Sequence, residues 1–184
     1  MLSARSESLL SVLARRAVLV LAGSGLMVLS AQIAVPASVA WGVPVTLQTL
    51  AIPVLVALLG RELGTLAVLT YLAEGIIGWP VFAGHVGGLV TLLGPSGGFL
   101  IGFPIAAYAV GTFYHDGYAR GYLRRLLAIA VGTASVFVAG ALWLAVGFTH
   151  DLGTALAVGA LPFLAGDAAK CVIAAAVPAR AFRS

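Results

Sequence analysis

Apolar residues run along this chain in long unbroken stretches, not in the alternation of a half-buried strand, and turn residues or charges separate one stretch from the next. Six stretches stand out, at about 17–35, 45–59, 64–78, 98–113, 126–148 and 158–178, the last within a run that opens at Gly153. Helix is expected in each, because an apolar run in lipid has to satisfy its own backbone hydrogen bonds. The first ends at a Pro-containing loop from Pro36 to Pro44, the second at Gly60-Arg61-Glu62 and the third at Trp79-Pro80. A Gly-rich connection without Asp, Glu, Lys or Arg follows at 81–97, a charged loop fills 114–125, and His150-Asp151 close the fifth stretch. The second and third stretches are short for a hydrocarbon layer of about 30 Å, which implies tilt, local thinning or packing around a cavity. Pro53 and Pro104 fall inside the second and fourth, where they can kink a helix. Gly98, Gly102 and Ala106 form a small-residue row at four-residue spacing, expected to be a helix contact inside the bundle.

Composition turns these helices into membrane spans. The chain has 184 residues, 61% hydrophobic and 9% charged, with a mean hydropathy of +1.11. A soluble surface needs roughly 25–35% charged residues, so a soluble enzyme and a disordered chain are both excluded. A single all-α integral membrane domain over residues 1–184 is expected. The lone Cys171 rules out an intramolecular disulfide and a Cys-rich metal site. His85 has no partner at ligand spacing, so no metal site is expected.

The distribution of charge says more than its sum of +4. With six spans, Arg5, Arg15, Arg16, Arg61, Arg120, Arg124, Arg125, Arg180 and Arg183 all fall on one side. The opposite connections, 36–44, 81–97 and 149–153, contain no Lys or Arg. The positive-inside rule then places both termini in the cytoplasm and puts Trp41 and Trp79 at the outer interface. The charge therefore reports anchoring and gives no indication of nucleic acid. A cleaved signal peptide is the competing assignment for the first stretch, but its apolar run exceeds a usual h-region and no A-x-A site follows.

The tenth basic residue, Lys170, lies inside the last stretch three positions after Asp167, so the two share a helix face at membrane depth. A charge there costs at least about 2.5–3.5 kcal/mol and usually faces an internal cavity. The pair either staples helices together or forms a ligand site for a polar or anionic molecule. Pro162 and Gly166 just upstream are expected to break the helix and widen a pocket. Other polar residues gather towards the same outer half: Gln32, Thr46, Gln48, Thr49, Tyr71 and Glu74. Glu74 has three open roles, as a partner of Lys170, a ligand contact or a headgroup contact. The stretch from Phe82 to Gly88, with Gly84, His85 and Gly87, is either a lid over the site or a plain surface loop.

Negative findings narrow the chemistry. There is no G-x-x-x-x-G-K-[ST] phosphate loop and no H-E-x-x-H. Gly94-Pro95-Ser96-Gly97 resembles the G-x-S-G of rhomboid intramembrane proteases, but the later His150 sits in an outer connection. Three classes remain: a ligand-capturing transporter subunit, an intramembrane enzyme using Asp167, Lys170 or Ser96, and a small channel or scaffold with a structural ion pair.

Four segments in order closely resemble the BioY family: Pro44-Val45-Thr46-Leu47-Gln48-Thr49, Gly78-Trp79-Pro80-Val81-Phe82-Ala83-Gly84, Leu93-Gly94-Pro95-Ser96-Gly97-Gly98-Phe99-Leu100-Ile101-Gly102-Phe103, and Gly166-Asp167-Ala168-Ala169-Lys170. This family comprises the biotin-specific S components of energy-coupling factor transporters. The resemblance implies a six-helix S-component bundle in the bacterial cell membrane with both termini cytoplasmic. It also implies biotin as transported substrate, no cofactor, and a transmembrane T component and ATPase subunits as partners, which fits the missing phosphate loop. Asp167 and Lys170 match the family's polar binding pair, Gln48 lies in its other signature segment, and Tyr71 and Phe82 are further ligand-binding candidates. Lys170 is expected on the biotin carboxylate or ureido oxygen and Asp167 on a ureido N–H. Two departures are visible: His85 stands where the family often has Gly, and the first helix carries Ala22-Gly23-Ser24-Gly25 in place of a clear A-x-x-x-A.

Overall fold

The computed structural model describes residues 9–35, 43–115 and 120–178. Its elements are α1 (Leu9–Gln32), a two-residue ribbon of β1 (Ala34–Val35) and β2 (Val45–Thr46), α2 (Gln48–Ile76), α3 (Leu89–Leu93), α4 (Gly97–His115), α5 (Tyr122–Leu144), α6 (Leu152–Gly159) and α7 (Leu161–Ala175). The architecture is an all-α bundle. Helices α1, α2, α4 and α5 with its π-helical extension (Ala145–Thr149) are long and apolar enough to cross a membrane, and α6 with α7 forms a bent pair that makes a fifth candidate when counted as one span. The outward faces carry exposed Leu21, Leu66, Ile105, Val131, Val138 and Leu142, as a bundle solvated by lipid requires.

Helix α1 begins eight residues before the predicted start at Ala17, and α5 begins at Tyr122 where Leu126 was expected. In both cases arginines are the reason: Arg15, Arg16, Arg124 and Arg125 lie on helical turns, and such side chains can reach an interface from a helix whose stem stays apolar. Trp41, part of the first connection, Arg5, Arg180 and Arg183 lie outside the described residues.

The second and third predicted spans are arms of α2, 48–59 and 61–76. Gly60 between them takes φ 82° and ψ 175°, a conformation essentially reserved for glycine. The chain reverses there. Gln48 Nε2 donates to Tyr71 Oη at 2.8 Å, whereas 23 residues of unbroken helix would separate them by about 35 Å. Gly64 lies against Val56 so closely that a Cβ would sit 3.1 Å from the Val56 Cα. Gly23 of α1 enters the same seam, its Cβ position 2.7 Å from Ala67 Cβ, and Ser24 beside it is buried. This part of the Ala22–Gly25 segment thus faces into the bundle.

Helix α2 packs on α1 and α4, α4 on α5, and α7 on α5 and α2. The row Gly98, Gly102, Ala106 meets α5 as expected. A Cβ on Gly98 would lie 2.2 Å from Trp143 Cβ, and one on Gly102 2.9 Å from Val136 Cα. The sixth stretch breaks earlier than predicted. The 47° bend falls at Ala160, and Gly166 lies within regular helix. Pro162, at the start of α7, has no N–H to offer Val158, so α6 cannot continue through it. The turn before α6 is fixed by Asp151, whose Oδ2 accepts from Thr154 N at 2.6 Å; that bond holds the carboxyl below its usual range.

Candidate functional site

Between α2, α4, α5 and α7, under the connection from α2 to α4, lies a cavity of about 550 Å³. Its wall is mainly apolar and aromatic, with Phe82, Phe99, Phe103, Phe137 and Phe163. Thr46, Gln48, Thr49, Asp167 and Lys170 supply a polar corner.

That corner is a cluster of charge-assisted bonds joining opposite ends of the sequence. Lys170 Nζ donates to Asp167 Oδ1 at 2.6 Å, to the Thr46 carbonyl at 2.7 Å and to Thr49 Oγ1 at 3.2 Å. The Thr49 hydroxyl in turn donates to Asp167 Oδ1 at 2.7 Å. Asp167 is only 4% exposed. The helical spacing of Asp167 and Lys170 places both on the face of α7 that meets α2. The Thr46 carbonyl can reach them because it precedes the first turn of α2, where it has no helical partner. The Thr46 hydroxyl meanwhile accepts from Gln48 N at 3.3 Å, fixing that turn.

Gln48 lines the cavity, and Tyr71 does not: it is fully buried behind Gln48. Tyr71, expected as a ligand contact, thus stands one layer behind the cavity wall. It holds Gln48 through its hydroxyl while Thr46 Oγ1 donates to Gln48 Oε1 at 3.0 Å. The Tyr71 ring also meets Phe82 edge-on, centroids 5.5 Å apart. Glu74 accepts from Ser24 Oγ at 2.5 Å, so its partner is α1 and not Lys170.

The Gly-rich connection covers the cavity. Phe82, Ala83, Gly84, Val86, Val90 and Thr91 all line it, and α3 forms within what the sequence presented as irregular. Phe82 is 2% exposed. Its ring lies flat on Gly75, where a Cβ would come within 2.0 Å of Cζ. Phe82 and Val86 form a β-bridge closed through Gly84 (φ 78°) and His85 (φ 58°). Of the expected lid residues, Gly84 lines the cavity, while His85 and Gly87 do not. His85 occupies a left-handed conformation that glycine enters freely and histidine tolerates. Gly87 sits against the Trp79 carbonyl, 2.1 Å from where its Cβ would be. Ser96 lines the cavity and offers its carbonyl to Leu100 N; His150 is exposed and does not line it.

Sequence reasoning missed the role of Gln32, whose amide binds the lid backbone. It also missed the carbonyl of Thr46, which no side-chain pattern announces. The buried Cys171 contacts Thr133 at 3.5 Å, away from the cavity lining.

The profile of the BioY family matches residues 3–184. The chain is 38% identical over 140 residues to the probable biotin transporter BioY of Pyrococcus horikoshii, covering 75% of this chain and 80% of that one. It is 35% identical over 157 residues to the biotin transporter BioY of Thermotoga maritima, covering 85% and 89%. Its fold superposes with a TM-score of 0.81 on the crystal structure of the S-component for biotin from an ECF-type ABC transporter. That match has 26% sequence identity and covers 91% of this chain and 90% of that one. The apolar outer face and the transporter relatives together make this a multi-pass membrane protein with an S-component fold. The family match runs over nearly the whole sequence, and the chain belongs to the BioY family.

Proposed function

We propose that this chain is the substrate-binding membrane subunit of a biotin uptake transporter and that it captures biotin in the cavity beneath the 81–97 connection. It is a binding subunit, not an enzyme. The observation that carries this is the cavity itself: about 550 Å³, aromatic over most of its wall, with one buried cluster of polar groups. Biotin has a matching division, an apolar bicyclic body and tail with a ureido group and a carboxylate. A pocket of roughly 300–1,000 Å³ with few, fixed polar groups suits such a ligand.

Lys170 has three N–H groups, and its three bonds go to Thr46, Thr49 and Asp167. The two donors on Asp167 both engage Oδ1. Asp167 Oδ2 is thus the acceptor offered to a ureido N–H, while Lys170 answers the carboxylate or ureido oxygen by exchanging one of its present partners. Gln48 and Phe82 complete the contact surface, and Tyr71 positions them.

The reversal at Gly60 and the bent α6–α7 pair support six crossings. The cavity opens beside connections without Lys or Arg, while Arg61, Arg120, Arg124 and Arg125 do not line it. By the positive-inside rule the cavity then faces outward from the cell membrane and both termini are cytoplasmic. A T component and ATPase subunits are the partners this reading assigns, which fits the absence of a phosphate-binding loop from this chain.

Equilibrium binding of radiolabelled biotin to the purified protein tests the assignment. Saturable, biotin-competable binding is expected, and its absence in folded protein would overturn it. A terminal tag that reacts with an impermeant reagent in intact cells would overturn the orientation.

A further inference from the structure

We infer that Gln32, the last residue of α1, is the positioning residue that latches the lid and sets how long the ligand stays. Its amide Nε2 donates to the carbonyls of Val81 and Phe82 at 3.2 and 3.1 Å. Its Oε1 accepts from the His85 amide at 3.2 Å, a donor shared with the Phe82 carbonyl at 3.1 Å. One side chain therefore engages both ends of the turn that carries Phe82 and Gly84 into the cavity wall. Loop carbonyls and amides near an apolar interior need such partners, and here they come from a helix about fifty residues away in sequence. At the far end of the connection a second side chain does a similar job: Trp143 Nε1 donates to the Gly94 carbonyl at 3.0 Å. Between the two pins the segment also meets solvent or lipid, with Val90 84% exposed at the cavity rim.

The geometry separates two jobs. Phe82 closes the cavity through packing on Gly75 and Tyr71, whereas Gln32 makes no part of the cavity lining and acts only on the backbone that carries Phe82. Loss of the latch therefore lets the 81–88 turn open more often without altering the groups that face the ligand. This inference rests on the proposal that the cavity captures biotin, and its primary test does not need the ligand.

Hydrogen–deuterium exchange of the ligand-free protein, followed over 79–88 with 122–144 as internal reference, compares wild type with Gln32→Leu and Gln32→Glu. Gln32→Leu is expected to lose protection in 79–88 by about tenfold, the scale of one to two lost hydrogen bonds, with 122–144 unchanged. Gln32→Glu keeps an acceptor for His85 and removes the donors to Val81 and Phe82, so intermediate protection is expected. In a chase experiment the release rate of biotin rises in the same order while the association rate changes little. Wild-type protection of 79–88 in Gln32→Leu overturns the latch; if that variant does not fold, wild-type protection in Gln32→Glu does so. Biotin release unchanged despite lost protection overturns the link to residence time. Failure of the wild type to bind biotin removes the functional proposal and leaves the exchange result standing.

Discussion

The polar corner and the lid border one cavity but are held by opposite means. At the corner, charged side chains of α7 bind side-chain and main-chain groups of the α2 start, buried and more than a hundred residues apart in sequence. At the lid, a neutral amide binds exposed or half-buried loop backbone. The first arrangement is costly to disturb, because removing one charge leaves its partner unpaired at low dielectric. The second consists of ordinary hydrogen bonds with modest net worth. On the proposed function, one end of the cavity is thus fixed in advance and selects the ligand, while the other opens to admit it.

Substitutions can break or sharpen this contrast. Lys170→Ala and Asp167→Ala should have the largest effect. Each removes a charged hydrogen-bonding group assigned to the ligand, worth about 1.5–3 kcal/mol, so biotin affinity is expected to fall by about 10- to 100-fold at 1.4 kcal/mol per decade. Unchanged affinity in both folded variants would reduce the pair to a helix staple. Thr49→Val removes one donor and one acceptor from the cluster and should weaken binding roughly tenfold, for a loss of about 1–3 kcal/mol; titration calorimetry reads the difference. Gly75→Ala acts on the lid side, since its new methyl meets the Phe82 ring. Overpacking of about 1–3 kcal/mol is expected, seen as faster biotin release with a smaller change in association. If Gly75→Ala slowed association as strongly as it sped release, the lid would not be the mobile partner. Gly60→Ala lies far from both regions and should lower thermal stability by about 1–3 kcal/mol, the strain of a glycine-only conformation, leaving the affinity of the folded fraction unchanged.

The two regions also differed in how plainly the sequence announced them. Asp167 and Lys170 stood out because a charged pair at helical spacing has no cheap place in an apolar run. Gly60-Arg61-Glu62 likewise marked a reversal that the backbone makes at Gly60. The break in the last crossing was placed too late, at Pro162–Gly166, because proline acts on the turn preceding it and the distortion falls on Ala160. The ribbon of β1 and β2 is two residues per strand and leaves no periodicity to detect. Gln32 was recognisable as a polar residue near the outer end, but its targets are carbonyls and an amide, which every residue possesses. That Tyr71 supports Gln48 from behind the cavity wall was not legible, because it depends on which face of the second α2 arm meets the first.

The spacing of Asp167 and Lys170 also bears on how the bundle is held together. The pair gives α7 one negative and one positive charge on a single face, so the helix meets its apolar surroundings with no net charge from the two. Thr46 and Thr49, more than a hundred residues earlier in sequence, receive it. The same bonds that shape the polar corner thus fasten α7 to the start of α2.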